Sequence, residues 1–132
     1  MKFLKFEEIP IWQQSMEIAH AIYALTLLGS FSKDFALKDQ IRRSAISISS
    51  NIAEGYERDN NKEFIRFLAF AKASAGEARS QLHLAMRFGY IDTNTGRNIL
   101  QELMNVSSSI RGFMSYLKSH EKTNLQFAIC NL

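Results

Sequence analysis

The sequence predicts an all-α fold, an antiparallel up-down-up-down four-helix bundle in which helices 3 and 4 are longer than helices 1 and 2. Three observations predict it. Apolar residues recur at alternating intervals of three and four in four separate stretches, the spacing that keeps one side of a helix in a core. Glycines at positions 29, 55 and 89 follow the first three stretches, where a left-handed residue commonly ends a helix. The chain of 132 residues has a single proline and no sustained period-two alternation, so strands have no pattern to support them. Short connections between such helices make sequence neighbours antiparallel.

The first helix is expected over 10–28, with Pro10 at a position where its missing N–H costs nothing. Its expected core stripe is Ile9, Trp12, Met16, Ala19, Tyr23 and Thr26. The second is expected over 35–54 on Ile41, Ala45, Ile48 and Ile52. The third begins at an Asn60 cap with Glu63 three residues on, the arrangement of a capping box. It buries Phe64, Leu68, Ala71, Ala75, Ala78, Leu82 and Ala85. The fourth is expected over 93–118 on Ile99, Leu103, Val106, Ile110, Phe113 and Leu117. The bundle thus occupies 1–118, and 119–132 form a tail, polar and then apolar, that is either a docked arm or disordered.

Away from the core stripes, small residues line the outer side of helix 3 at Ala69, Ala73, Gly76 and Ser80. Alanine is simply a good helix former, but Gly76 costs about 1 kcal/mol against alanine inside a helix. A second packing face accounts for that cost. With Phe70 and with Ile46 on helix 2, these residues form the candidate oligomer interface. Arg43, Ser47, Ser50 and Glu54 are read as the outer side of helix 2. The long pair of helices should also overhang the short pair by about 9–13 Å at 1.5 Å per residue. A second subunit or the tail would have to cover that overhang, and self-association is the expectation.

Composition limits the function classes. An apolar fraction of 46% against 22% charged excludes wholesale disorder. The one cysteine, Cys130, excludes an intrachain disulfide and a cysteine-built metal site. No apolar run reaches the ~18 residues of a membrane span, and no signal peptide opens the chain. A cytoplasmic protein without membrane contact is expected. Glu17 and His20 match the Glu-x-x-His spacing of di-iron bundles once, where such a site needs it twice. No glycine-rich phosphate loop or nucleophile elbow is present. No enzyme, no cofactor and no metal are expected.

Net charge is +3, but residues 1–59 carry −1 and residues 60–132 carry +4. A basic face of this kind is the electrostatic footprint of a phosphate-backbone binder, and a solvated helix face explains it as well. The candidate nucleic-acid-binding residues are Arg42, Arg43, Lys62, Arg66, Arg87 and Arg111, each off a core stripe. Lys72, Arg79, Arg97 and Lys118 add to the same basic balance.

The stretch 40–55, QIRRSAISISSNIAEG, resembles the signature of a bacterial four-helix-bundle family encoded by intervening sequences in large-subunit ribosomal RNA genes. That family is related to the accessory variability determinant of diversity-generating retroelements. Ile11-Trp12-Gln13, Glu63 to Leu68 with Ala71, Ser74 and Glu77, and Leu82 with Gly89-Tyr90-Ile91 extend the resemblance. Two positions depart from it: Ser44 stands where the family usually has alanine, and Ala73-Ser74 where it usually has Gly-Ser. The ribosomal name reflects gene location. The resemblance implies a homo-oligomer, a ring of five subunits in relatives, without catalysis. In the retroelement branch such a ring is a basic adaptor for nucleic acid and a reverse transcriptase. Two readings follow: an oligomeric adaptor binding RNA or DNA through basic helix faces, or a protein-interaction scaffold with no nucleic-acid binding.

Overall fold

The computed structural model describes residues 3–120. Within them lie four helices: α1 (Pro10–Thr26), α2 (Phe35–Glu57), α3 (Asn61–Arg87) and α4 (Thr93–Ser119). Short 3-10 turns at Phe6–Glu8 and Gly29–Lys33 flank α1. Each helix packs on its neighbours in sequence and α4 closes against α1, the square arrangement of an up-down-up-down bundle. The α2–α3 seam is the most extensive and the α1–α4 seam the least. At 27 residues each, α3 and α4 exceed the 17 of α1 and the 23 of α2. The tail expected at 119–132 lies outside the described residues from position 121 onward, and Ser119 itself closes α4.

The helix starts follow their sequence signals. Pro10 occupies the first turn of α1. Asp34, Asn60 and Asp92 cap α2, α3 and α4, accepting from the amides of Leu37 (3.1 Å), Glu63 (3.0 Å) and Thr95 (2.9 Å). The capping box at α3 is only half made. Glu63 turns its carboxylate to Arg66 at 3.1 Å rather than back to the cap, because a charged partner one turn away outcompetes a backbone amide.

The core stripes of α2, α3 and α4 are as expected: Ile41, Ala45, Ile48, Ile52, Leu68, Ala71, Ala75, Ala78, Leu82, Leu103 and Ile110 are all fully buried. Helix α1 is not. Ile11, Ser15, Ile18 and Ile22 face the core, one residue and therefore about 100° from the expected Trp12, Met16, Ala19 and Tyr23. Both rows carry the same spacing. The isoleucines have no polar tip to satisfy, whereas Trp12 packs edge-on to Phe6 at the rim and Tyr23 carries the Arg42 guanidinium on its ring.

Gly89, at φ 77°, ends α3 as expected, whereas α1 stops at Thr26, short of the expected residue 28, and Gly29, at φ 49°, opens the 3-10 turn that follows. Gly55 does not end α2. It sits within the helix where a Cβ would stand 2.7 Å from Phe67 Cβ and 2.9 Å from Phe64 Cδ1. It is a point of close approach between α2 and α3, and Asp59, at φ 57°, makes the turn instead. Ser47 also moves from the expected outer side into this seam, where the Ser74 hydroxyl donates to it at 2.8 Å. Ser44 donates to Gln81 Oε1 at 2.9 Å across the same seam. The ends of the long hairpin are covered from within. Phe3 packs on the core, with its carbonyl accepting from Tyr56 at 2.6 Å, and buried Phe31 stacks on Tyr90 at 5.3 Å. The overhang therefore gives no argument for a second subunit.

Candidate functional site

Six basic residues form the candidate nucleic-acid set, and the fold does not gather them. Arg42 lies on the α1 side of α2. Its Nε donates to Thr26 Oγ1 at 2.8 Å and its guanidinium covers the Tyr23 ring at 4.3 Å. It works as a strut between two helices, so its replacement is expected to cost the fold as well as any binding. Arg43, on the outer side of α2, is exposed. Arg66 is exposed but engaged: Glu63 holds it from two oxygens, and it lies over the rings of Phe67 and Phe70 at 4.9 and 5.4 Å. The Arg66 hydrogen bond lowers the Glu63 pKa. Much of the Arg66 charge is spent inside the chain.

Lys62 and Arg87 are exposed near the two ends of α3. They sit seven residues before Ala69 and seven after Ser80, two turns away on the same outward strip as Ala69, Ala73, Gly76 and Ser80. Lys62 and Arg87 therefore bracket the small-residue strip. A face covered by a second subunit is closed to a nucleic acid, so this strip cannot serve both roles at once. Arg111 lines a groove between α3 and α4 that also holds Lys72. Lys72, Arg79 and Lys118 are the functional candidates that the sequence left unplaced. Their only signal is a seven-residue spacing within each helix, and that becomes informative once α3 and α4 are known to be neighbours.

The candidate interface residues divide as well. Ala69, Ala73 and Ser80 are exposed, Gly76 is half-buried, and a Cβ added to Gly76 would meet nothing within 4 Å. Nothing inside the chain requires glycine there. Phe70, at 45% exposure, flanks this strip on its α2 side. Ile46, equally exposed, lies one turn from Arg42 on the α1 side of α2, apart from the strip. Glu17 and His20 are both exposed. Among the described residues no three His, Cys, Asp or Glu side chains come together in a group able to hold a metal ion. No described helix is long and apolar enough to cross a membrane.

Four helices closed in sequence order, with charged outer faces and serine-lined seams, define a four-helix-bundle protein. The family described as 23S rRNA-intervening sequence protein matches residues 7–112, and the chain belongs to it. The fold is similar to a crystal structure of a protein of unknown function of the S23 ribosomal protein family from Bacteroides thetaiotaomicron. That likeness has a TM-score of 0.72 and 26% identity, covering 79% of this chain and 97% of the other. No curated protein matches the chain. Neither the family nor the structural relative points to a class of enzyme.

Proposed function

We propose that the chain is a non-enzymatic, self-associating adaptor, a five-subunit ring as the family resemblance implies, that binds RNA or DNA through cations on its helix faces. One observation carries the binding half of this reading. Among the arginines and lysines of the described residues, only Arg58 and Arg66 are ion-paired, at 3.2 and 3.1 Å to Glu54 and Glu63. No other described arginine or lysine lies within bridging distance of a described carboxylate, and those at the surface, Arg42 excepted, are open to phosphate. The outward strip of α3, with a glycine that its own chain does not need, supports self-association. A reverse transcriptase is a further partner where the gene lies in a retroelement, and the cytoplasm is the compartment.

The test is fluorescence anisotropy of the purified protein with a generic RNA and a generic duplex DNA at about 50 and 200 mM salt. The expected result is binding at the lower salt that weakens steeply at the higher, without base preference. Absence of binding to either probe at the lower salt overturns the reading and leaves the protein-interaction scaffold.

A further inference from the structure

The α3–α4 groove collects cations that no acid among the described residues balances. Two cavities of about 340 and 190 Å³ follow one another along it and share Lys72 and Arg111 as lining residues. The first adds Lys118, Ser115, Ile65 and Met114; the second adds Arg79, Ser107, Ser108 and Met104. Among the described residues no carboxylate lines either cavity. None of the four cations has an ion-pair partner among the described residues. Arg79 is half-buried, and its Nε is sealed from solvent without an acceptor. A buried donor on a charged group that meets no acceptor is costly.

The placement is regular. Lys72 and Arg79 are seven residues apart on α3, as are Arg111 and Lys118 on α4, so each pair spans two turns, about 10.5 Å. Because the helices run antiparallel, the order along the groove is Arg79, then Lys72 beside Arg111, then Lys118. The row is about 21 Å long on that rise. Serine hydroxyls between the cations can donate to phosphate oxygens without adding charge. The groove also lies off the α3 strip that would be covered in an oligomer.

We infer that this groove is a cradle for the sugar-phosphate backbone of a single nucleic-acid strand. A length of about 21 Å spans about six phosphates at the 3.4 Å per-strand rise of a stacked helix, and fewer in an extended strand, whereas a small phosphate would occupy only one of its three cation stations. A concave channel between two helices follows one flexible strand and meets a duplex only at its rim. Among the described residues no aromatic ring lines the groove, so these give bases no stacking platform and recognition is of the backbone. The assignment rests on the nucleic-acid reading above and narrows it to four residues, three of which lie outside the set expected from sequence.

The experiment compares double variants of the full chain, each checked for unchanged far-UV circular dichroism, in anisotropy titrations with unstructured RNA, unstructured single-stranded DNA and duplex DNA. Lys72→Gln/Arg111→Gln is expected to weaken single-strand binding at about 50 mM salt at least tenfold. It should also flatten the logarithmic salt slope by about 1.4, which is 0.7 per lost phosphate contact on a single strand. Arg79→Gln/Lys118→Gln should do the same. Lys5→Gln/Lys33→Gln, at two exposed lysines outside the candidate set, removes equal charge elsewhere and is expected to cost no more than about threefold. Equal losses in all three variants would place binding on the surface at large and sink the groove while leaving the nucleic-acid reading intact. A wild type that binds none of the probes sinks both. Duplex binding as tight as single-strand binding, and as sensitive to Lys72→Gln/Arg111→Gln, overturns the single-strand assignment alone.

Discussion

Trp12 and Tyr23 lie about 100° from the isoleucine row of α1, and what separates the two rows is the chemistry of the side-chain tips rather than their spacing. Isoleucine buries without obligation; indole and phenol need an edge or a partner, and Tyr23 found a guanidinium. Ile18→Ala is therefore expected to cost about 2–5 kcal/mol, while Met16→Ala, at an exposed position, stays within about 0.5 kcal/mol. Urea denaturation of the two variants checks this, and a larger loss at Met16 would reverse the orientation of α1. The same residues show what was legible. Core faces of α2, α3 and α4 could be read because each has a single apolar row. The face of α1 could not, because two rows competed and only packing arbitrates. Gly55 was misread for a related reason: a glycine required by another helix looks in sequence like one required by its own backbone.

Among the elements, the helix starts carry a pH dependence. Asp34 is held below its ordinary pKa by the Leu37 amide and then by the Tyr90 hydroxyl. Asp92 is held below by the amide and hydroxyl of Thr95, and Glu63 by Arg66. Each binds its proton more weakly folded than unfolded. Their stabilisation is complete above the unfolded carboxylate value of about 4 and is lost as pH falls through the lower folded values. The thermal midpoint should accordingly drop between about pH 5 and pH 2. Asparagine keeps a cap but not a titration, so Asp34→Asn/Asp92→Asn should melt with a shallower dependence on pH. An unchanged slope would show that the caps do not carry it. The caps were plain in sequence; the Tyr90 bond to Asp34 at 2.8 Å, which spans 56 positions, was not.

For the whole molecule, the assembly question turns on the outward strip of α3. Gly76→Leu or Ala73→Leu places bulk in open space as far as a single chain is concerned, so the helix content should be unchanged. The assembly should nevertheless fall apart, visible in light scattering as a drop in mass at micromolar concentration. A wild type that is monomeric under those conditions ends the self-association reading. The groove side chains were visible in sequence only as charges. Their common channel depends on which helices become neighbours and on the antiparallel direction that sets Lys72 beside Arg111.

The closing seam between α1 and α4 has a consequence for how the bundle breathes. Contacts there are the sparsest of the four seams, whereas Arg42 fastens α1 to α2 through Thr26 and Tyr23. Local opening proceeds first where the fewest contacts must part. The first excursion from the native state is expected to swing α1 outward on its α2 side like a door on its hinge. It would bare Ile11, Ile18 and Ile22 to water, while the α2–α3 seam, tied by its serines and Gly55, stays shut.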